Sequence, residues 1–188
     1  MPLKKFYSFI LLTFTFLSSA QTATVEKSVF NAQAGVLGVY ASHEAGLAGS
    51  FALRTEVGLD AVLFGNYNYK LDVALTPVIR LEPRWYYNLA KRGEKGKSTA
   101  NNSGNFLTLA LIYHPDLFVV SGYDNIYVPD QIDIVPKWGI RRHIAGSNFN
   151  YELGIGIGYK YYFLKQYGYK ENEGEATLDL HIRIGYTF

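Results

Sequence analysis

FNYELGIGIGYKYYF, residues 149–163, carries the clearest repeating pattern in this sequence. Every second residue, from Phe149 to Phe163, is aromatic or aliphatic, and the residues between them are Asn, Glu, Gly, Lys and Tyr. Successive side chains of a β-strand point to opposite faces of a sheet. A period of two residues over this length therefore predicts a strand with one apolar and one polar face.

The same period recurs along most of the chain. It covers five further segments: 51–61, 71–87, 105–113, 131–144 and 177–188. Residues 24–47 are also strand-like, but Gly and Ala blur their alternation, so they could form one long strand or two short ones. Closed antiparallel barrels usually have an even number of strands, which favours two. The sequence therefore predicts an all-β protein, an eight-stranded antiparallel barrel with an up-and-down meander.

The polar faces of these strands carry balanced charges. Seven are basic: Arg54, Arg80, Arg84, Lys137, Arg141, Lys160 and Arg183. Seven are acidic: Glu56, Asp60, Asp72, Glu82, Asp133, Glu152 and Asp179. Equal numbers of basic and acidic residues and a high arginine content are typical of a closed barrel interior, because an unpaired buried charge costs several kcal/mol. We therefore predict a lumenal charge network that also includes His181. Gly154, Gly156 and Gly158 are expected to make room in it for long arginines.

The apolar faces indicate what surrounds the barrel. They carry one charge, Arg142, and their aromatic residues lie mostly near strand ends, as in the girdles of membrane barrels. The predicted girdle contains Trp85, Tyr87, Trp138, Tyr151, Tyr161, Phe163, Tyr186 and Phe188. Thirteen residues tilted by ~40° rise ~33 Å, enough to cross an apolar band of ~25 Å. The pattern favours a transmembrane β-barrel, with a soluble lipocalin-like carrier as the alternative.

The amino terminus predicts export. Lys4 and Lys5 precede twelve apolar or weakly polar residues, 6–17, and then Ser18, Ser19 and Ala20. A membrane-spanning helix needs ~20 apolar residues, so residues 1–20 are interpreted as a cleaved signal peptide and residues 21–188 as one barrel domain. Cleavage would leave 18 − 2 = 16 basic residues against 16 acidic ones. This balance argues against nucleic-acid binding.

The connection over residues 89–104 (LAKRGEKGKSTANNSG) is long and basic. It contains Lys91, Arg92, Lys95 and Lys97 against one acid, Glu94. Two interpretations stay open: a solvated turn with a short helix, or a contact surface for anionic headgroups or a periplasmic partner. Three other long connections, 64–69, 115–130 and 164–174, are predicted at the opposite, external end of the barrel. Their tyrosines, such as Tyr123 and Tyr167, could bind a ligand or lie on a membrane interface.

Catalytic and metal-binding motifs are weak or missing in the sequence. His181 lies between Asp179 and Arg183, and His114 ends a strand near Asp116, but no GxSxG or HExxH sequence accompanies either histidine. The chain has no cysteine, which excludes thiol catalysis, disulfides and zinc ribbons. The sequence therefore predicts no enzyme, no cofactor and no metal.

Two segments resemble known outer-membrane proteins. LHIRIGYTF, residues 180–188, looks like the carboxyl-terminal strand that the outer-membrane assembly machinery recognises. Residues 81–116, together with GIGIGYKYYF (154–163), resemble the small outer-membrane β-barrel domain proteins typical of Bacteroidota-type bacteria. The resemblance implies an eight-stranded barrel with both termini in the periplasm. It implies little about activity, because those families are largely uncharacterised.

The sequence as a whole predicts a monomeric bacterial outer-membrane protein. Its expected partners are the lipid bilayer and the outer-membrane assembly machinery, and its expected role is structural or loop-mediated binding. An eight-stranded barrel leaves no wide aqueous pore. The alternatives are a narrow channel, a lipid-modifying enzyme with a site at the barrel rim, and the soluble carrier named above.

Overall fold

The computed structural model describes residues 24–65, 71–123 and 126–188, except for the side chains of residues 63–65, 71 and 72. The predicted signal peptide, the side chain of Asp72 and most of the 64–69 connection lie outside the described residues. The strands are β1 (Ser28–Gly35), β2 (Gly38–Ala48), β3 (Phe51–Gly65), β4 (Leu71–Trp85), β5 (Asn105–His114), β6 (Val120–Ser121), β7 (Gln131–His143), β8 (Phe149–Tyr162) and β9 (Glu173–Thr187).

Eight of these strands form a closed antiparallel barrel. Each long strand pairs with the next long strand along the chain, and β1 pairs with β9. The closing seam is short, since β1 and β9 share only five residue pairs, from Asn31↔Thr187 to Gly35↔Arg183. The all-β, up-and-down, eight-stranded prediction is confirmed, and residues 24–47 form two strands as expected.

The observed strands differ from the predicted segments mainly at their ends. β3 and β9 are longer than predicted, and β4 ends at Trp85, so Tyr86 and Tyr87 belong to the following connection. The two-residue strand β6 pairs with Ala74 and Leu75 of β4, beyond the point where β5 stops pairing. This short strand covers part of an edge that would otherwise be unpaired.

Side chains alternate between the barrel interior and its outer surface. On β8, Asn150 and Glu152 are buried, while Tyr151, Leu153 and Ile155 are exposed, with Ile155 51% exposed. β5 shows the same alternation along its whole length. The large apolar side chains therefore point outward and the ionic ones inward. The lipocalin-like alternative required the opposite orientation.

The interior glycines of β8 have a different role from the one expected. A Cβ added to Gly158 would lie 2.2 Å from the carbonyl oxygen of Ile134, and one added to Gly156 would lie 2.7 Å from Val135 Cγ1. The space is therefore taken by strand β7 and not by arginines. These glycines allow close approach of the neighbouring strand, so the expectation that they make room for arginines is wrong.

The barrel has two dissimilar ends. The terminal end carries both chain termini of the barrel, the turns at 49–50 and 144–148, and the long 86–104 connection. The loop end carries the 115–130 and 163–172 connections. Within the part of the chain that the structure describes, each helix is too short or too polar to cross a membrane.

Candidate functional site

The terminal half of the interior is built around Glu152. Its carboxylate accepts hydrogen bonds from Arg54 Nη1 (3.1 Å) and Arg84 Nη2 (2.7 Å), and His181 Nε2 lies 2.9 Å from Oε1. Glu152 is fully buried, and its three neighbours are at most 2% exposed. The group thus places a carboxylate and two guanidinium groups in contact inside the barrel, where pairing offsets the cost of burying each charge.

Glu82 extends this ionic layer across strands β4, β7 and β9. Its Oε2 accepts from Arg84 (2.6 Å) and its Oε1 accepts from Lys137 Nζ (2.7 Å). Lys137 also donates to Asp179 (3.2 Å). Along this chain of contacts each charged group has at least one neighbour of opposite charge, which offsets the cost of burying it.

Glu44 belongs to the same network, although the sequence analysis did not identify it. Its carboxylate lies 3.5 Å from Arg84 and 3.6 Å from Arg141, and it accepts hydrogen bonds from the hydroxyl of Tyr86 (3.0 Å) and from the side chain of Asn102. It is 1% exposed. Glu44 therefore joins the ionic layer to the 86–104 connection.

This connection folds into the terminal end as a plug. It contains a short helix, Leu89–Glu94, and a 3₁₀ turn, Ala100–Asn102, in which Asn101 and Asn102 adopt positive φ angles of 51° and 58°. The Asn102 side chain accepts from the backbone N–H of Glu26 (2.7 Å). Beneath it lies an apolar cluster of Val25, Ala52, Tyr86, Leu89 and Phe106. The terminal end is thus filled by both polar and apolar side chains.

The loop half of the interior starts at Glu56. This carboxylate accepts from Arg54 (2.5 Å), Arg80 (2.8 Å) and Arg183 (2.7 Å). Arg80 also pairs with Asp60, which accepts a hydrogen bond from the hydroxyl of Tyr40 (2.6 Å). Beyond this point the packing becomes less complete.

A cavity of about 320 Å³ opens toward the loop end. His114 lies in its wall, with Nε2 2.8 Å from Asp60 Oδ2. Asp133, 5% exposed, lies 3.9 Å from Lys160 Nζ, which is an ion-pair distance but not a hydrogen bond. Asp133 Oδ1 and His114 Nδ1 are buried and have no hydrogen-bond partner among the residues that the structure describes. Two unsatisfied polar atoms in one cavity suit a polar ligand or ordered water.

Asp130 holds the two loops beside this cavity together. Its side chain accepts from the backbone N–H of Asp116 (2.8 Å), the Tyr113 hydroxyl (3.0 Å) and the amide of Gln166 (2.6 Å). The hydroxyl of Tyr167 also donates to it (3.1 Å). The hydrogen bonds from Asp116, Tyr113 and Gln166, with that of Asp116 the largest cause, lower the pKa of Asp130. One carboxylate, on which four donors converge, therefore ties the 115–130 connection to the 163–172 connection at the loop end.

The predicted aromatic girdle is concentrated at the terminal end. Residues at that end are Trp85, Tyr87, Trp138, Tyr151, Tyr186 and Phe188. Tyr161 and Phe163 lie at the loop end, where their rings meet edge to face at 5.4 Å. The Tyr87 hydroxyl accepts from Trp138 Nε1 (2.8 Å) and from Asn105 Nδ2 (3.1 Å). Of the eight residues predicted for the girdle, six therefore lie at the terminal end and two at the loop end.

The basic connection forms an open groove of about 530 Å³ on the outside of the terminal end. Its lining includes Lys91, Arg92, Lys95, Lys97 and Arg142. Arg92 is tied to the connection itself, because its Nη2 donates to the carbonyl of Ser98 (2.8 Å). The expected short helix is present.

The two histidines occupy different surroundings. His181 is enclosed in the terminal half and does not reach the barrel rim, whereas His114 faces the loop-end cavity, whose lining includes no serine among the described residues. The same described part of the chain contains no group of three or more His, Asp or Glu arranged to hold a metal ion. No family model matches the sequence, and no curated protein or solved structure matches it either.

Proposed function

We propose that this protein is a bacterial outer-membrane β-barrel with a structural or binding role and no enzymatic activity. One observation carries the proposal: large apolar side chains cover the outer surface while ionic side chains fill the interior. Outward residues include Val57, Ile79, Leu109, Ile134, Ile155, Leu180 and Ile182, each 46% exposed or more. An apolar surface that surrounds the barrel in this way is unfavourable in water, whereas it is compatible with the hydrocarbon core of a lipid bilayer.

The terminal end and carboxyl-terminal strand are consistent with this location. The outward face of β7 runs from Ile134 through Trp138 to Arg142, which is an apolar, aromatic and then cationic order. This order matches the passage from hydrocarbon to headgroups. Tyr186, near the end of strand β9, and Phe188, the residue directly after that strand, are both exposed. Recognition of this strand by the assembly machinery would require such exposure. The resemblance to small Bacteroidota-type barrels points in the same direction.

The interior argues for a closed barrel in preference to a narrow channel. The layer of Arg54, Arg84 and Glu152 is almost fully buried, and the plug at Asn102 lies beyond it. A conducting path would need water past both. We therefore propose that the binding role lies at the loop end, where the cavity with Asp133 and His114 opens beneath the loops held by Asp130.

Heat-modifiable migration tests the membrane location directly. The purified mature chain, folded in detergent, should migrate faster on a gel before boiling than after, and it should enter phosphatidylcholine vesicles. A chain that stays folded and monomeric in detergent-free buffer would refute the proposal. Planar-bilayer recordings then test closure: we expect no steady conductance, and discrete conductance steps would favour the channel.

A further inference from the structure

The terminal end carries a cationic surface that the barrel itself does not neutralise. Lys91, Arg92, Lys95, Lys97 and Arg142 line one groove, together with Tyr87, Asn88 and Asn105. Within residues 24–65, 71–123 and 126–188, none of these five cations forms an ion pair. Every basic residue of the interior network, by contrast, has a carboxylate within 4 Å. The groove is therefore an unneutralised cluster of positive charge.

Arg142 is oriented for contact with something outside the protein. It is the one charge on the outward face of β7, and its guanidinium is fixed by hydrogen bonds to the carbonyls of Gly104 (2.8 Å) and Arg141 (2.7 Å) and to Asn105 Oδ1 (2.6 Å). All three partners are neutral acceptors. The guanidinium is thus held in place while its charge stays unpaired, which suits recognition of an anion.

The position of the groove identifies the anion. Tyr87 lines the groove and also accepts the hydrogen bond from Trp138, so the groove lies directly beside the terminal-end girdle. Girdle residues mark the level of lipid headgroups in membrane barrels. A molecule that places an anion among these cations would have its apolar part against the outward face of β7. Phospholipids combine those two features, and clustered Lys and Arg at this level attract anionic lipids.

We infer that the groove binds the phosphate headgroup of an anionic phospholipid in the leaflet that surrounds the terminal end. Arg142 and Tyr87 position the headgroup, and Lys91, Lys95 and Lys97 supply mobile positive charge around it. The inference rests on the proposed membrane location. Bound lipid would anchor the 86–104 connection, and with it the plug, at a fixed depth.

Tryptophan quenching provides the test, because Trp138 is a built-in probe beside the groove. In the Trp85→Phe variant, Trp138 is the single tryptophan of the chain. The barrel is inserted into phosphatidylcholine vesicles that contain a small fraction of brominated phosphatidylglycerol, and in a parallel sample the same fraction of brominated phosphatidylcholine. We expect stronger quenching by phosphatidylglycerol, corresponding to a local enrichment of at least about tenfold. High salt should reduce it.

A charge-matched pair of variants separates a local site from general attraction. Lys91→Gln, Lys95→Gln and Lys97→Gln together remove three charges from the groove while leaving Arg92 and its bond to Ser98 intact. Lys27→Gln, Lys165→Gln and Lys170→Gln remove three exposed charges elsewhere. We expect the first triple variant to lose most of the enrichment and the second to keep it.

The possible failures are distinguishable. A barrel that enters no vesicle refutes the membrane proposal itself. A barrel that inserts but is quenched equally by the two brominated lipids refutes only the headgroup site. Equal loss of enrichment in both triple variants also overturns the site, because it would reduce the effect to the net charge of the protein.

Discussion

Both halves of the barrel interior contain buried charged residues, but the two halves differ in how closely those side chains contact their partners. In the terminal half, Glu152 contacts Arg54, Arg84 and His181 and is fully buried. In the loop half, Asp133 lies 3.9 Å from Lys160 and keeps one oxygen without a partner beside a cavity of about 320 Å³. The side chains around Glu152 therefore pack closely, whereas open space remains beside Asp133, and it is there that we propose binding takes place.

Removing the central carboxylate of the terminal half should have the largest effect. Glu152→Leu removes the carboxylate that Arg54 and Arg84 share and leaves them only Glu56 and Glu82 as close partners. Buried positive charge is then in excess, so we expect the free energy of unfolding to fall by ~3–5 kcal/mol. Urea titration of the protein folded in detergent micelles measures this value. Glu152→Gln keeps the size and hydrogen-bonding capacity and serves as the control for charge. Unchanged unfolding midpoints would abolish the distinction between the two halves.

A substitution on the outer surface tests how the lipid around the barrel contributes to its stability, independently of the charges in the interior. Ile155 lies on β8 between Glu152 and Lys160, and it points outward. Ile155→Arg should lower the unfolding free energy in phosphatidylcholine vesicles by ~2–4 kcal/mol, because it exposes a charge to hydrocarbon. Ile155→Leu is the control. An arginine tolerated here at no cost would mean that this face does not meet lipid.

Removing the hydrogen bonds of the plug should leave polar groups in the terminal half without partners, as in the loop half. Asn102→Ala removes the hydrogen bonds to Glu44 and Glu26 and places a side chain poorly suited to positive φ at a backbone angle of 58°. We expect a loss of roughly 1–3 kcal/mol in urea titration. Asn102→Gly removes the same hydrogen bonds without the backbone penalty. If glycine and alanine behave alike, the conformation of the backbone contributes nothing.

The contacts that Asp130 makes between the two connections of the loop end should weaken in acid. Because the folded-state pKa of Asp130 is lowered, its contribution to stability is present above the ordinary aspartate pKa of ~3.9 and is lost as the pH falls through its lower folded value. The amide resonance of Asp116 should report this titration. Asp130→Asn should abolish it and increase tryptic cleavage after Lys165 and Lys170 at neutral pH. Cleavage at the wild-type rate would argue against these contacts.

The smallest effect is expected at Asp133. This carboxylate is buried without a full set of partners, so Asp133→Leu should change the unfolding free energy by less than about 1 kcal/mol, in either direction. Urea titration of Asp133→Leu and Glu152→Leu under the same conditions compares the two changes in unfolding free energy directly. A loss as large as that of Glu152→Leu would show that the loop half is as tightly coupled as the terminal half.

Sequence periodicity predicted most of the barrel because each strand separates an apolar from an ionic face. It failed where that contrast disappears. On β2, the outward residues Ala41 and His43 are no more apolar than the inward Tyr40 and Ser42, so the parity that places Glu44 inside was not evident. The plug was missed for a related reason. The 86–104 connection has no period, and only the fold brings Asn102 to Glu44.

The ion pairs of the terminal half were predicted as a set but not as partners. Arg54 and Glu152 are 98 residues apart in sequence, and their contact depends on the shear and tilt of the closed barrel. The cavity of the loop half could not be predicted either. Asp133 and Lys160, which line it, are paired in register on β7 and β8, but the register does not reveal that their charged groups stay 3.9 Å apart.

The five-pair seam between β1 and β9 sets an order of events for assembly. Its partners, such as Asn31 and Thr187, are separated by nearly the whole barrel sequence, so the entropy of closing that loop favours forming the neighbouring hairpins first. Until the seam forms, the chain is an open sheet with two unprotected edges that can pair with other chains. A host machinery that holds the final strand would therefore shorten the interval in which this protein can aggregate.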